Sequence, residues 1–278
     1  KKTEKEKFAG AVDTYSIEAL MHDGKALQSG TTHYLGTGFA KAFNINFQDK
    51  DGIVKEVHQT SWGVSTRLIG AVIMVHGDDS GLVLPPYLAP IQVNIIPVMQ
   101  HVDGVLEKAN EIKDLLLKNN IRVEIDDSDK TPGWKFAESE MKGIPLRLEI
   151  GPRDIENNQA VLVKRYNREK ITVNLTELET IIPEMLENIH HEMYKKALEN
   201  VNNNTKETND YEEFKKIIKD NQGYVKMMWC GKQECEDKVK EDTQATARCM
   251  PMKDESIGEV CPVCKEKAKH LVYYAKAY

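Results

Sequence analysis

At 278 residues the chain has room for one large domain or two to three smaller ones, at roughly 100–150 residues each. Its 38 basic and 44 acidic residues leave a net charge of −6, which excludes a wholly basic nucleic-acid-binding chain while allowing a local basic patch. Hydrophobic residues make up 40% and charged residues 29%, enough for an ordinary core. The longest apolar runs, such as Leu68–Val75, fall far short of the ~20 residues of a membrane helix. The opening Lys1-Lys2-Thr3-Glu4-Lys5-Glu6-Lys7 is not followed by an apolar stretch and a small-residue cleavage site, so no secretory signal is visible and a soluble, cytoplasmic protein is expected. A start in Lys-Lys-Thr-Glu without an initiator Met suggests a piece of a longer polypeptide.

Residues 1 to about 90 are rich in Gly, Thr and short alternating stretches. Thr14–Leu20 and Val72–Val75 read as strands and the intervening glycines as turns, a mixed sheet without a long helix of its own. From Pro90 strand and helix alternate. Ile91, Val93 and Ile95 alternate with Gln92 and Asn94 as in a strand, and Val102, Val105, Leu106, Ala109, Ile112 and Leu116 recur at helical spacing. Ile121–Ile125 reads as a second strand, and Gly133–Lys142 as a short helix ended by Gly143 and Pro145. Leu146, Leu148 and Ile150 alternate with Arg147 and Glu149, a strand with one polar face. Ala160–Val163 and Ile171–Val173 are further strands. Thr176 with Glu179 forms a capping-box pattern. It opens an amphipathic helix on Leu178, Ile181, Ile182, Met185 and Ile189, which Pro183 should kink. The order fits a compact βαβαββα domain over 91–200. Asn202-Asn203-Asn204-Thr205 reads as a linker, and Tyr211–Ile218 as a helix within a third region, 201–278.

All five cysteines fall between Cys230 and Cys264. They are too few and too clustered for a disulfide scaffold, and an odd count reads better as metal ligands plus a spare. Cys230-x4-Cys235 and Cys261-x2-Cys264 are separated by 25 residues. Two short-spaced pairs let two turns converge on one tetrahedral ion, and four thiolates leave no position for a reacting water, so the expected site is structural zinc. Four reduced cysteines that merely pack are the other reading. Cys249 lies outside both pairs and is expected to be an ordinary buried thiol.

The stretch His76-Gly77-Asp78-Asp79-Ser80-Gly81-Leu82-Val83-Leu84-Pro85-Pro86-Tyr87 reads as a polar turn, a buried strand and a helix start. It also resembles the third sequence motif of class II aminoacyl-tRNA synthetases, in the Gly-Leu-Val-Leu-Pro-Pro form of prolyl-tRNA synthetases. Lys7–Ala11, Thr14–Ala19, Asp23–His33, Ser61–Arg67, Glu149–Asp154 and the Cys-rich tail with its terminal tyrosine resemble the same family, in family order. The likeness covers essentially the whole chain and points to the branch with a C-terminal zinc-type domain. It implies an α/β (α+β) chain in three parts: part of the class II antiparallel catalytic sheet over 1–90, a mixed-sheet α/β anticodon-binding domain over 91–200, and a small α/β zinc-binding-type domain over 201–278.

The resemblance further implies a proline–tRNA ligase that activates L-proline with ATP and Mg2+ and transfers it to tRNA(Pro). The residues matching its ATP site are Gln28, Thr31 and Tyr87, and an amide oxygen such as that of Gln28 can bind a hard cation like Mg2+. His33 would face the proline, with Phe8, Trp62 and Gly63 as the pocket wall, since a small apolar ring must be recognised by shape. Read without the family, Phe8 and Trp62 fit plain core as well, and Arg67 fits either a carboxylate or phosphate contact or a buried acid partner. Glu149 and Arg153 would read the anticodon guanines, where a carboxylate can accept and an arginine can donate in a fork. Lys164, Arg165, Arg168 and Lys170 are candidates for phosphate contacts or for a solvated charged turn. The metal set is Cys230, Cys235, Cys261 and Cys264 for zinc, with Gln28 for magnesium. Tyr278 resembles the family's end, whose carboxylate lies near the active site; a tail that simply stops after its last strand is the other reading.

Two departures bear on activity. Nothing here matches the family's first two motifs, which supply the homodimer contact and the arginines that hold the reacting phosphate. No catalytic residue is therefore expected in this chain, and by itself it should be inactive. The family also usually has arginine, stacked on adenine, where this chain has Tyr87; tyrosine keeps stacking but not charge. A non-catalytic synthetase-like module that binds tRNA or a protein is the alternative these departures motivate. A zinc hydrolase is disfavoured by the all-cysteine set.

Overall fold

The turn at Asp23–Lys25 decides the first piece of structure. Gly24 takes φ +75° and the Asp23 carboxylate accepts the Lys25 amide at 3.1 Å, so β1 (Asp13–Leu20) folds back on β2 (Ala26–Gly36) as an antiparallel hairpin. The computed structural model describes residues 1–220 and 223–278. A short helix α1 (Gly38–Ala42) and a small hairpin of β3 (Asn46–Gln48) and β4 (Val54–Glu56) follow. Strand β5 (Gln59–Val64) then pairs antiparallel with β2, giving the order β1-β2-β5. Residues 72–75, expected as a strand, lie instead in helix α2 (Arg67–His76). Their β-branched run favours a strand locally, but Leu68, Ala71, Met74 and Val75 form a helical stripe that packs on Met21 and Leu27, and packing overrides propensity.

A second region begins with β6 (Val93–Pro97) and continues through α3 (Val105–Lys118), β7 (Val123–Ile125), α4 (Pro132–Met141) and β8 (Leu146–Ile150). It ends with α5 (Pro152–Glu156), β9 (Gln159–Lys164), β10 (Lys170–Asn174), a 3-10 turn (Leu175–Glu177) and α6 (Leu178–Asn203). The sheet order is β10-β9-β8-β6-β7, with β6 parallel to β7 and β8, and β9 antiparallel to β8 and β10. The alternating βα order is as expected: all five strands read from the sequence are present, one more than the βαβαββα shorthand counts, and the short α5 is added. Every residue of β6 is buried, because a central strand is covered on both faces; β8 is buried except at the half-buried Glu149, and Arg147 lies inside rather than on a solvent face. The helix N-terminus before α6 is capped by Asn174, which accepts the Thr176 amide at 3.0 Å, while Glu179 accepts from Asn119. The 3-10 turn thus moves the cap upstream of the expected Thr176–Glu179 box. Helix α6 runs on through Pro183 and into the expected linker at 202–205, ending where Thr205 Oγ1 donates to the Val201 carbonyl at 2.7 Å.

The last segment supplies β11 (Thr205–Glu207), α7 (Tyr211–Asp220), β12 (Tyr224–Trp229), α8 (Gln233–Thr243), β13 (Thr246–Cys249) and β14 (His270–Ala275). Its sheet order is β11-β12-β14-β13, and Phe214, Ile218, Val225, Met227, Val239, Val272 and Tyr274 form its core.

Packing divides the chain differently from sequence texture. Residues 1–75 and 199–278 form one compact unit and residues 76–198 another, against the threefold division expected at 90 and 200. The first unit is joined internally by a buried ion cluster. Glu18 accepts from Lys2 Nζ at 2.8 Å and from Arg248 Nη2 at 2.8 Å, and all three side chains are less than a tenth exposed. The segment 76–90, expected to continue the first sheet, belongs to the second unit. Beyond His76, the last residue of α2, it forms neither a strand nor a helix: the Leu82 and Leu84 amides donate to the Met141 and Gly143 carbonyls, and 85–89 closes as a turn.

Candidate functional site

The β1-β2-β5 sheet of the first unit carries five of the seven expected substrate residues: Gln28, Thr31 and His33 on β2, and Trp62 and Gly63 on β5. Register pairs Thr31 with Ser16 and Gly63, and His33 with Thr14 and Ser61; directly paired residues share a sheet face, so Thr31 and His33 project together. Gln28 is three residues before Thr31 and would point the other way in a regular strand. A bulge between Ile17 and Glu18 leaves Ser29 without a pairing partner and sets Gln28 opposite Glu18. Glu18 accepts a hydrogen bond from Ser16 on the Thr31 side, so the bulge brings Gln28 round to the face of Thr31 and His33.

His33 is held in a definite orientation. Its Nδ1 lies 3.0 Å from Thr14 Oγ1, and that hydroxyl accepts the Phe8 amide at 3.1 Å. Thr14 is 2% exposed. A hydroxyl oxygen accepts twice, so the Thr14–Nδ1 contact fits either neutral tautomer; where the hydroxyl donates to Nδ1, the ring hydrogen stands on Nε2, facing away from Thr14. The Phe8 ring sits 4.8 Å from the imidazole. Arg67 donates to the Gln28 carbonyl at 3.2 Å and is otherwise exposed, which does not fit the buried-acid reading. A Cβ on Gly63 would meet nothing within 4 Å, so this glycine leaves open space beside Thr31.

Trp62 is placed differently from expectation. It pairs with Thr32 and so projects from the opposite face to His33, where it is 78% exposed. It borders a shallow cleft of about 190 Å³ with Tyr15, Ile17 and Val64. The reason is strand alternation, which puts Trp62 and its neighbour Gly63 on different faces.

In the second unit Tyr87 packs against α6. Its ring stacks on His190 at 4.0 Å and its hydroxyl donates to Glu187. Arg122 holds the turn beneath it, donating to the Pro86 and Ala89 carbonyls at 2.8 and 2.9 Å. One ring face is therefore occupied by His190, while the side chain remains 60% exposed.

Glu149 and Arg153 lie at the end of β8 and in α5. Glu149 is not a free carboxylate: its Oε1 accepts from Arg147 Nε and Nη2, both at 2.9 Å. Arg147, 5% exposed, also donates to Glu140 at 3.0 Å and lies over the Phe136 ring. The bonds to Glu149 fall on one oxygen, so the other remains an acceptor in a fixed position. Arg153 is exposed. Of the four phosphate candidates, Arg165 is buried and bonded to Asp78, which removes it from any phosphate contact. Lys164 pairs with Glu169 at 2.8 Å and Arg168 donates to Ser80, while Lys170 is exposed.

The four paired cysteines converge. Their sulfurs all lie within 4.8 Å of one another, with Cys230 Sγ 3.6 Å from both Cys235 and Cys264. Four Zn–S bonds of about 2.3 Å in a tetrahedron would put sulfurs about 3.8 Å apart, so the cluster is compatible with zinc and could hold a metal ion. Cys230 follows the end of β12, Cys235 lies in α8, and Cys261 and Cys264 belong to a turn closed by Lys265 N–H to the Cys261 carbonyl at 2.8 Å. Burial pushes the Cys230 and Cys235 thiols up, a cost that a bound cation offsets. Cys249 stands outside the cluster, as expected, but is half-buried where a buried thiol was expected. At the terminus, Tyr278 donates to Asp23 and lies under Lys25, while Ala277 bridges to Ala26; the tail thus docks on the β1–β2 turn.

Sequence reasoning missed Thr14, Arg147 and the Asp78–Arg165 pair. Thr14 could have been found by pairing the hairpin strands about Gly24; the two arginines carried no local signal.

Residues 92–185, which span the sheet β10-β9-β8-β6-β7, match the family described as "Anticodon binding domain". Residues 211–278 match "Prolyl-tRNA synthetase, C-terminal". Over all 278 residues the chain is 59% identical to a proline–tRNA ligase of Lachnospira eligens, 59% to one of Clostridium botulinum (strain Loch Maree), and 60% to one of Ruminiclostridium cellulolyticum. It spans 58% of the length of each of these curated relatives. Over its whole length the chain is similar to proline–tRNA ligases, and its residues 211–278 to the C-terminal region of prolyl-tRNA synthetases. Among the described residues no helix is long and apolar enough to cross a membrane.

Proposed function

We propose that the protein carrying this chain is a proline–tRNA ligase: it activates L-proline with ATP and Mg2+ and transfers it to tRNA(Pro). The observation that carries this reading is the common face of Gln28, Thr31 and His33, which a one-residue bulge makes possible, together with identity to such ligases along the whole chain. In the activation step a proline carboxylate oxygen attacks the α-phosphorus of ATP and displaces pyrophosphate, giving a prolyl adenylate, a mixed anhydride from which AMP leaves when the tRNA hydroxyl attacks. In this reading the Gln28 amide oxygen meets the magnesium ion, the Thr31 hydroxyl bonds the nucleotide, and the Nε2 hydrogen of His33 points at the proline. Phe8 and the space beside Gly63 shape the pocket for a small apolar ring. Tyr87 offers its open ring face to adenine.

Glu149 and Arg153 read the two guanines of the proline anticodon, and Glu149 does so with an oxygen already oriented by Arg147. Cys230, Cys235, Cys261 and Cys264 hold a structural zinc ion with no reacting position. The three sequence segments 1–90, 91–200 and 201–278 keep their catalytic, anticodon and zinc-type roles in this reading, and the protein works as a cytoplasmic homodimer. Activity belongs to the longer polypeptide, since the relatives are longer than this chain; the chain alone stays inactive. The test is aminoacylation by the complete polypeptide, using tRNA(Pro) transcripts with and without the two anticodon guanines. Charging that ignores those guanines would remove the role given to Glu149 and Arg153.

A further inference from the structure

Two charged residues that no sequence motif connects meet in the second unit, 87 positions apart. Arg165 is 3% exposed, and all three of its guanidinium nitrogens are used. Nη1 and Nη2 donate to the two oxygens of Asp78 at 2.7 and 2.6 Å, and Nε donates to the Glu140 carbonyl at 2.7 Å. A fork of this kind fixes orientation as well as distance. It holds the Asp78 carboxyl down at about 2. Asp78 also accepts the Ser80 amide at 2.9 Å, and its own amide and carbonyl bond reciprocally with Gly81, so the whole turn is fastened to Arg165.

Beyond this turn the chain is seated by main-chain bonds. Leu82 and Leu84 donate to the Met141 and Gly143 carbonyls at 3.0 and 3.2 Å. Gly81 and Gly143 permit the approach: a Cβ on either would stand 2.6 Å from backbone of the opposite segment, and both have positive φ. The segment then reaches the Pro85–Tyr87 turn. On the other side, Glu140 accepts from Arg147, and Arg147 grips Glu149. Bonded neighbours therefore run without a gap from Glu149 in β8 to Asp78.

We propose that Arg165 and Asp78 are positioning residues, which seat the 78–87 segment and with it Tyr87 in fixed register with the strand that bears Glu149. Removing one partner leaves a buried guanidinium without its counter-charge, and the turn loses the anchor that holds Leu82 and Leu84 on the α4–β8 corner. The consequence for catalysis rests on the ligase reading above; the seating itself does not.

The experiment has two arms. In this chain, amide hydrogen exchange is followed at Leu82 and Leu84, with Ile95 and Leu148 as controls in β6 and β8. Asp78→Asn and Arg165→Met should speed the first two by about tenfold or more while leaving the controls unchanged, the pattern of a local opening. Arg165→Lys keeps charge but not the fork and should fall between. Unchanged Leu82 and Leu84, or equal acceleration at all four amides, overturns the proposal. In the complete polypeptide, Asp78→Asn should raise KM for ATP by about tenfold with KM for proline within about twofold, since only the nucleotide-side segment moves. A local amide effect with both KM values unchanged would overturn the catalytic part. A wild-type polypeptide with no proline-dependent exchange of pyrophosphate would sink the ligase reading instead, and the amide arm would still decide the seating.

Discussion

The two major sheets of this chain solve burial in opposite ways. In the five-stranded sheet the central β6 is buried along its length and β8 at every residue but the half-buried Glu149, with Ile95, Leu146, Leu148 and Ile150 at 0% exposure, because helices and loops cover both faces. In the β1-β2-β5 sheet, β5 is exposed from Thr60 to Val64, and Ile17, Trp62 and Val64 form an uncovered apolar strip. Soluble domains rarely leave such a strip open. The five-stranded sheet is thus a finished domain core, while the β1-β2-β5 sheet carries the residues proposed above to meet substrate on one face and an open apolar surface on the other. Functional polar groups sit where burial is incomplete, and the buried polar groups of the five-stranded sheet serve to hold geometry.

The sharpest break in this comparison is metal removal. The cysteine cluster belongs to the unit with the open sheet, and Cys230, Cys235 and Cys261 are buried within the core of the β11–β14 sheet, so a zinc ion held there would tie that core together. Structural zinc in a small domain contributes on the order of 10 kcal/mol. Chelation, or Cys261→Ser, is therefore expected to unfold the region around β12–β14, read as lost near-ultraviolet circular dichroism along with lost zinc. Retained structure at well below one zinc per chain would contradict the assignment.

Next in size is the buried cluster of Lys2, Glu18 and Arg248. Replacing Glu18 by Ala strands two buried cations and should cost about 3–5 kcal/mol, measured by urea unfolding. Burial alone would raise the Glu18 carboxyl, but the hydrogen bond from Lys2 and the Arg248 charge outweigh it and hold it below its ordinary value. A depressed folded value means that this stability is present above the unfolded carboxylate range and is lost as pH falls through the folded value. Glu18→Gln should accordingly flatten the acid limb of the stability curve.

A smaller effect separates the two faces of the open sheet. Gly63→Val fills the space beside Thr31 and should lower kcat/KM for proline by about tenfold in the complete polypeptide, since a β-branched side chain enters a pocket shaped for a small ring. Val64→Ser acts on the opposite face and should change solubility and not proline kinetics. The smallest expected effect is Lys170→Ala on the exposed edge of the five-stranded sheet. If Lys170 contacts phosphate, tRNA binding weakens modestly and its salt slope falls by about one.

Much of the fold and site is legible in the sequence, and the failures have definite causes. The alternating βα order, the zinc-type spacing and the pairing of Thr31 with His33 on one face all follow from period and spacing. Val72–Val75 reads as a strand because of its β-branched residues, and that propensity is weaker than the packing of Leu68 and Ala71. Arg147 and Arg165 look like solvent residues because period alone cannot distinguish a polar face from a central strand whose charges are bonded internally. The bulge that turns Gln28 toward Thr31 depends on pairing with Ile17 and Glu18, which no local pattern encodes. Trp62 falls on the unexpected face for a related reason: family likeness identifies a residue but not the side of the sheet on which it stands.

The most direct test of the ligase reading is proline-dependent exchange of pyrophosphate into ATP by the complete polypeptide, compared with His33→Ala and Gln28→Ala. The expected result is exchange that requires proline, lost mainly through KM for proline in the first variant and through KM for ATP in the second. Exchange indifferent to proline, or unchanged in both variants, would contradict it.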